Sequence, residues 1–314
     1  MIFTGFEPNM MAEDVMLANA ILRQPRTWQG GDGPARVEAE LRNFFRVPYA
    51  HTVDSGRSAL LIALQSLGVG EGDEVLIQAY TCAVVVNPIV ALGAKPVYVD
   101  IGADLNMDPD DLAKKITSRA KTVIVQHTFG LPAPLKEILA VALDRGLTVI
   151  EDCAHSLGAT YDGALTGTMG DIGMFSFGSD KVISCVRGGA LITSDAEIEK
   201  RIRHRVESLP VQSRMKIFRH LLHYPLFSLG KRRYERGGKW LLAFAKKTFF
   251  MTRIMNPREK RGKWEDEFPT KLPNALAELL LEQLRRLREI TTHRMAIARI
   301  YRNGLPAAWK HPTD

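Results

Sequence analysis

The stretch from Glu151 to Asp195, EDCAHSLGATYDGALTGTMGDIGMFSFGSDKVISCVRGGALITSD, decides the fold. The strand LTVIED (147–152) leads into it, carrying Leu147 to Ile150 into a sheet and setting Asp152 at the carboxyl end, where open α/β sheets bind ligands. An acid in that position reads as a site residue rather than a solvated charge or a simple helix cap. Twenty-nine residues on, Lys181 follows the apolar segment MFSF, which holds its stem in poorly solvated surroundings and favours the neutral amine. A neutral lysine beside a fixed carboxylate suits Schiff-base chemistry. Pyridoxal phosphate enzymes use that pair: the lysine holds the aldehyde, the acid keeps the pyridine nitrogen protonated, and the ring takes up the electrons released when a Cα–H bond breaks.

Outward from this stretch, strand and helix patterns alternate. EVLIQAY (74–80), KPVYVD (95–100), TVIVQHT (122–128) and LTVIED are short apolar strands, separated by the helical segments VVNPIVALG, DPDDLAKKI and LKEILAVALDRG. GMFSF (173–177) and GGALITS (188–194) add two more strands, and ARVEAELRNFFR (35–46) and SGRSALLIALQSLG (55–68) are helices that precede them. This rhythm predicts a mostly parallel sheet covered by helices on both faces. From Asn274 a leucine-striped helix is expected to run to Gly304 and to pack on the domain or on a second subunit.

The chain of 314 residues, 46% hydrophobic and 25% charged, has the composition of a folded protein with a large core. Cys82, Cys153 and Cys185 lack CxxC or metal-ligand spacing, which supports neither a disulfide framework nor a zinc site and fits a reducing cytoplasm. No signal-peptide pattern and no apolar run of ~20 residues is present, so neither export nor a membrane span is expected. The net charge of +7 is unevenly placed: residues 201–263 hold 18 Lys or Arg against three acids, a local +15 that leaves −8 for the rest. That segment mixes cations with bulky apolar groups, as in MKIFRHLLHYPLFSLG and KWLLAFAKKTFFMTRIM. Two readings stand open for it: a helix lying on an anionic membrane surface, or a solvated basic lid with its apolar face on the protein. Nucleic-acid binding has the charge but no recognised module, and none is expected.

Ser55-Gly56-Arg57-Ser58 opens a helix, where free N–H groups and the helix dipole favour a phosphate, although Ser-Gly is also an ordinary N-cap. Ser176 lies five residues before Lys181, so its hydroxyl can reach the same phosphate while the lysine reaches the aldehyde carbon.

SGRSALLIALQSLGVGEGDEVLIQAYT, GAKPVYVDI, QHTFGLPA, EDCAHSLGA and GDIGMFSFGSDK, in that order along roughly residues 30–195, resemble the DegT/StrS sugar aminotransferase family. The resemblance implies a fold-type I, three-layer α/β sandwich with a mostly parallel central sheet. It implies a homodimer that binds pyridoxal 5'-phosphate and moves an amino group, commonly from glutamate, to a nucleotide-linked keto-sugar. Lys181 then matches the Schiff-base lysine, Asp152 the pyridine-nitrogen acid, and His155 a position near the cofactor's 3-hydroxyl. Ser55, Gly56, Arg57 and Ser176 match the phosphate cup. His127 either lies near the substrate or bonds the strand end, and Tyr161 reads as packing.

Several positions depart from the family's pattern. Arg57 stands for the usual threonine and offers a charged phosphate donor. Cys82 stands where an aromatic commonly stacks on the pyridine ring, leaving that role to the thiol or to Tyr80. Val186-Arg187 interrupts the glycine-rich turn before Gly188-Gly189, and Pro269 falls where an asparagine of the partner subunit often reaches the phosphate. The expected organisation is a cofactor domain over 1–200, a basic-hydrophobic insertion over 201–265, and a long helix with the start of a reduced or incomplete C-terminal small domain over 266–314. The function expected is amino transfer to a nucleotide-linked keto-sugar, in the cytoplasm or at the inner membrane face. A pyridoxal-dependent sugar dehydratase is the neighbouring chemistry; Lys181 favours transamination, because such dehydratases tend to have histidine there. A non-catalytic regulatory relative is the reading from a different class.

Overall fold

The computed structural model describes residues 9–248, 259–261, 264 and 269–305. Nine strands are formed among them: β1 (Tyr49–Val53), β2 (Glu74–Gln78), β3 (Lys95–Val99), β4 (Ala120–Gln126), β5 (Thr148–Asp152), β6 (Thr160–Tyr161), β7 (Ala164–Leu165), β8 (Ile172–Ser176) and β9 (Gly189–Thr193). Seven make one sheet in the order β1-β9-β8-β5-β4-β2-β3, and β6 and β7 form a small hairpin. The five strands from β8 to β3 run parallel, while β9 returns antiparallel to β8 and β1 pairs antiparallel with β9.

Eleven α-helices among the described residues surround the sheet: α1 (Ala12–Leu22), α2 (Gly33–Phe45), α3 (Gly56–Ser66), α4 (Ala83–Ala91), α5 (Pro109–Lys115), α6 (Leu135–Asp144), α7 (Ala196–Glu207), α8 (Arg214–Arg232), α9 (Gly238–Lys247), α10 (Asn274–Arg285) and α11 (Leu287–Gly304). Side chains alternate across a strand, so each parallel strand feeds two cores. On β4, Ile124 joins Val75, Ile77 and Ile150 in a cluster with α3, α4 and α7. Its neighbours Val123 and Val125 join Leu76 and Val149 in a second cluster with Leu112 of α5 and Leu135 and Ile138 of α6. Tyr161 packs partly buried against that second cluster, as expected. The α/β sandwich read from the sequence is therefore the observed fold.

Two expectations need correction. The expected single helix from Asn274 to Gly304 is two helices that meet at Arg286, which caps both with a φ of −95° and a ψ of 0°. The Arg286 guanidinium pairs there with Asp14 of α1, and only Leu287 and Ile290 of α11 are buried. Strand β1 and helix α1 were also not anticipated; β1 is a short edge strand whose pattern, YAHTV, carries little periodic signal.

The basic segment is helical where described. Helix α8 buries Ile217, Leu221 and Tyr224 in the main core, and α9 packs on its Phe227 with Leu242 and Ala245 while leaving Trp240 and Phe244 exposed. No helix among the described residues is long and apolar enough to cross a membrane. The segment between them and α10 lies in part outside the described residues.

At the amino edge of the sheet, buried Glu74 of β2 ties three strands. Its carboxylate accepts from Thr117 Oγ1, from Arg119 Nη2 at 2.7 Å just before β4, and from Lys95 Nζ of β3 at 3.3 Å. These donors, the Thr117 hydroxyl first, lower its pKa to about 2 against the opposing effect of burial. A depressed carboxylate stabilises the fold above its unfolded pKa and loses that contribution as pH falls. Glu74→Gln is expected to lower unfolding stability by about 1 kcal/mol at neutral pH. In urea titrations the gap between the two proteins should stay constant above pH 4.5 and close as pH falls toward 2.

Candidate active site

A cavity of about 240 Å³ opens at the carboxyl ends of β5 and β8, beside the start of α3. The residues expected to hold the cofactor all line it: Ser55, Gly56, Arg57, Cys82, Asp152, His155, Ser176 and Lys181. Residues separated by up to 126 positions in the chain thus converge on one volume.

Consecutive acids at the end of β5 take opposite fates because strand side chains alternate. Glu151 turns away from the cavity and is saturated, accepting from the backbone N–H of Gly167 at 2.8 Å and of Met169 and Gly170 at 2.7 Å, with His127 Nε2 at 3.1 Å. Burial opposes its charge, but His127 and these N–H groups outweigh burial and hold its pKa below the ordinary range. Asp152 faces the cavity, and the hydrogen bond made to its carboxylate is from the Ala154 N–H at 3.0 Å. Burial there pushes its pKa up, against smaller opposing effects of that N–H and of His155, Lys181 and His127.

His127 is wholly buried, with Nδ1 accepting from the Ala133 N–H at 3.1 Å and Nε2 against Glu151. Of the two readings left open for it, the strand-end bond is the one observed. Together with Cys153 it forms a group of ligand-type atoms within 4.8 Å, but the Glu151 and His127 atoms already have hydrogen-bond partners and the group serves the fold.

Lys181 sits in the loop between β8 and β9, its side chain 16% exposed and its Nζ 3.6 Å from Asp180 Oδ2. The loop is held from outside the sheet. Asn9 Nδ2 donates to the Val182 carbonyl at 2.5 Å and Tyr224 Oη of α8 donates to the Ser184 carbonyl at 2.9 Å. Val186 adopts a φ of 70°, a left-handed conformation unusual for a β-branched residue, with its side chain buried in the core and lining the cavity. Strain of that kind persists only where neighbours over-determine the backbone.

The start of α3 is both an N-cap and a cavity wall. Ser55 Oγ accepts from the Ser58 N–H at 3.2 Å, and Ser58 Oγ donates to Asp54 Oδ1 at 2.6 Å. A Cβ on Gly56 would fall 2.7 Å from Ser176 Cβ, and one on Gly189 would fall 2.3 Å from the Ser55 carbonyl oxygen. Glycine at both positions lets the helix start sit against the ends of β8 and β9. Arg57 brings its own counter-ion, pairing with Glu259 while both are buried. Cys82 is a free thiol at the first turn of α4 and lines the cavity from the opposite side.

These residues fit a phosphorylated pyridine aldehyde. Asp152 offers a buried carboxylate to a ring N–H, and His155 Nδ1 has no hydrogen-bond partner among the described residues. Burial, and then Lys181, lower the His155 pKa, which keeps the imidazole neutral. The Gly56 cradle against Ser176 offers N–H and hydroxyl donors to a phosphate. Sequence reasoning missed Gln126, Asp180, Arg187 and Glu259. Gln126 had a readable signal, a polar residue ending an apolar strand, and it stands opposite Asp152 in the β4–β5 register. Arg187, between the lysine and Gly188-Gly189, was seen only as an interruption. Glu259 had none, since its approach depends on the path of a long connection.

A family model described as the DegT/DnrJ/EryC1/StrS aminotransferase family matches residues 8–227. The GDP-perosamine synthase of Escherichia coli O157:H7 is 34% identical over 200 residues, which are 63% of this chain and 55% of that protein. The UDP-N-acetyl-3-dehydro-alpha-D-glucosamine 3-aminotransferase of Acidithiobacillus ferrooxidans is 39% identical over 176 residues, 55% of this chain and 47% of that protein. An aminotransferase structure from Psychrobacter cryohalolentis superposes with a TM-score of 0.71 at 25% identity, covering 95% of this chain and 67% of that one. The chain spans about half the length of the curated relatives it matches. The family match takes in the start of α3, the end of β5 and the whole lysine loop, and the chain belongs to the DegT/DnrJ/EryC1/StrS aminotransferase family.

Proposed function

We propose that this chain binds pyridoxal 5'-phosphate and acts as an aminotransferase that moves an amino group, taken from glutamate, to a nucleotide-linked keto-sugar. The observation that carries the reading is the convergence of Lys181, Asp152, His155, Ser176 and the α3 start on one cavity. The names of the relatives support an acceptor of the nucleotide-sugar class. When bound, the cofactor supplies an electron sink for breaking and making a C–H bond next to nitrogen.

The chain's own residues do the rest. Lys181 would hold the cofactor through its carbonyl carbon and, once displaced by the donor, take a proton at Nζ from the donor Cα and return one to the acceptor side. Asp152 would hold the ring nitrogen's proton, and that cation would relieve a carboxylate now buried with a single N–H donor. The neutral His155 would set its unpartnered Nδ1 toward the ring's hydroxyl side. Ser176, Ser55 and the Gly56 and Arg57 N–H groups would orient the phosphate at the positive end of α3, with Glu259 steadying the Arg57 side chain.

The same reading has two copies associate and has the basic segment meet an anionic membrane surface at the cytoplasmic face. Exposed Met295, Ile297, Ile300 and Tyr301 on α11 support the first. Exposed Trp240 and Phe244 on α9, flanked by Lys239 and Lys247, support the second. Light scattering should report a dimer. Sedimentation with phosphatidylserine vesicles should capture the protein, and Trp240→Ser with Phe244→Ser should release it.

The catalytic reading is tested by absorption. Protein mixed with pyridoxal phosphate should show a band at about 410–430 nm that fades on adding glutamate, and Lys181→Ala should lack it. Persistence of the band without Lys181, or its indifference to glutamate, contradicts the reading. Asp152→Asn should retain the band and slow the glutamate response by roughly 100-fold or more. A carboxyl whose folded pKa is raised favours the fold below its unfolded pKa and costs stability as pH rises through the folded value. The cofactor-free Asp152→Asn protein should therefore be more stable than wild type at neutral pH, with the gap closing as pH falls toward the ordinary aspartate value of 3.8.

A further inference from the structure

Three large apolar side chains stand exposed on neighbouring loops at the carboxyl edge of the sheet. Tyr80 follows β2 and is 48% exposed, Leu105 follows β3 and is 37% exposed, and Phe129 follows β4 and is 64% exposed. His155 follows β5, the next strand in the sheet, so the four residues mark out a row across adjacent strands that ends at the cofactor cavity. Phe129 is the nearest of the three to that cavity. Its ring lies 5.9 Å from the His155 ring with the two planes 4° apart, and the Tyr80 ring meets it edge-on at 6.2 Å.

The base of this row is rigid although its top is bare. The buried Gln78 amide donates to the Tyr80 carbonyl at 2.7 Å, to Thr128 Oγ1 at 2.9 Å and, more weakly, to the Leu105 carbonyl at 3.4 Å. One side chain thereby binds the three loops together. Thr128 Oγ1 donates to the Leu105 carbonyl at 3.0 Å, and the Thr128 N–H donates to Asn106 Oδ1 at 2.9 Å. Phe129 and Leu105 take φ values of 55° and 67°, left-handed conformations that cost bulky residues conformational energy. In a core, packing would offset that cost. Here the ring is held outward, and its exposed face has no such return in the described molecule.

We infer that Phe129, bounded by Tyr80, is the floor on which the hexose ring of the acceptor packs its apolar C–H face. The inference rests on the proposed transamination and adds the place where the sugar lies. The acceptor's reacting carbon belongs to the hexose itself, so that ring must come within about one ring's breadth of the cavity holding Lys181. Phe129 is at that distance through its contact with His155. A nucleobase is separated from the reacting carbon by a diphosphate and falls farther out along the row. Glutamate has no comparable apolar ring face, so the donor step does not call on the floor.

The test uses non-reacting probes and needs no turnover. Saturation-transfer NMR with UDP-N-acetylglucosamine and GDP-mannose, irradiating aromatic protons, should label hexose C–H groups in the wild type. Phe129→Ala should abolish that labelling and weaken both probes about tenfold in calorimetry, with a smaller loss for Tyr80→Ala. UDP and GDP alone should change by less than about twofold by the same arithmetic. Phe129→Leu, which keeps an apolar side chain, serves as the folding control and should restore part of the affinity without the aromatic signal. Equal losses for the free nucleotides would put the base, not the sugar, on the ring and overturn the inference. Unchanged affinities would also overturn it, as would dimer dissociation by light scattering with affinity intact, which would make the row a subunit contact. These readouts stand apart from the lysine-dependent absorption band, so failure of the transamination reading and failure of the sugar floor are separately visible.

Discussion

A carboxylate held at the end of a buried strand, short of the hydrogen bonds it needs, is the constraint on which this molecule is organised. Glu151 and Asp152 are adjacent and equally deep, yet the alternation of strand side chains sends one into a ring of backbone N–H groups and the other into a cavity. The first arrangement closes the crossing between β5 and the β7–β8 turn. The second leaves a charge that burial opposes and that a cationic ring nitrogen would complete. Fold and site thus use the same pair of residues, with stability placed on one side of the sheet and chemical demand on the other.

The rest of the architecture delivers groups to that carboxylate. Gly56 and Gly189 allow the start of α3 to press against the ends of β8 and β9, closer than any side chain would permit. The lysine loop is fixed from the far side by Asn9 and by Tyr224 of α8, so the basic segment contributes to the site by packing as well as by charge. Buried Ile217, Leu221 and Tyr224 make the inner face of α8 part of the main core, while Trp240 and Phe244 of α9 face outward. Arg57 lines the cavity already paired with buried Glu259, which spares the wall a lone buried charge.

Much of this was legible in the chain because the signals are local and periodic. Short apolar runs with turn residues between them specify parallel strands, and the carboxyl end of such a strand specifies where a ligand binds, so Asp152 could be singled out before any coordinates. Lys181, Ser176 and the Ser55-Gly56 start gained their meaning from order and spacing along one segment. The helix break at Arg286 was not legible, since the sequence on both sides is helical and the Arg286 side chain meets Asp14, 272 residues away. His127 could not be assigned because one of its partners, Glu151, sits on the neighbouring strand β5, 24 residues away.

What the sequence by itself determined is the layered α/β class, the strand ends that carry chemistry and the residue types that suit an aldehyde cofactor, because each depends on neighbours within a few positions. What only the tertiary structure decided is which of those groups share a volume and what surrounds them. The saturation of Glu151, the pairing of Arg57 with Glu259 and the row from His155 to Phe129, Tyr80 and Leu105 all arise from contacts between segments far apart in the chain. Chain packing fixes such distances cooperatively, and no local pattern encodes them.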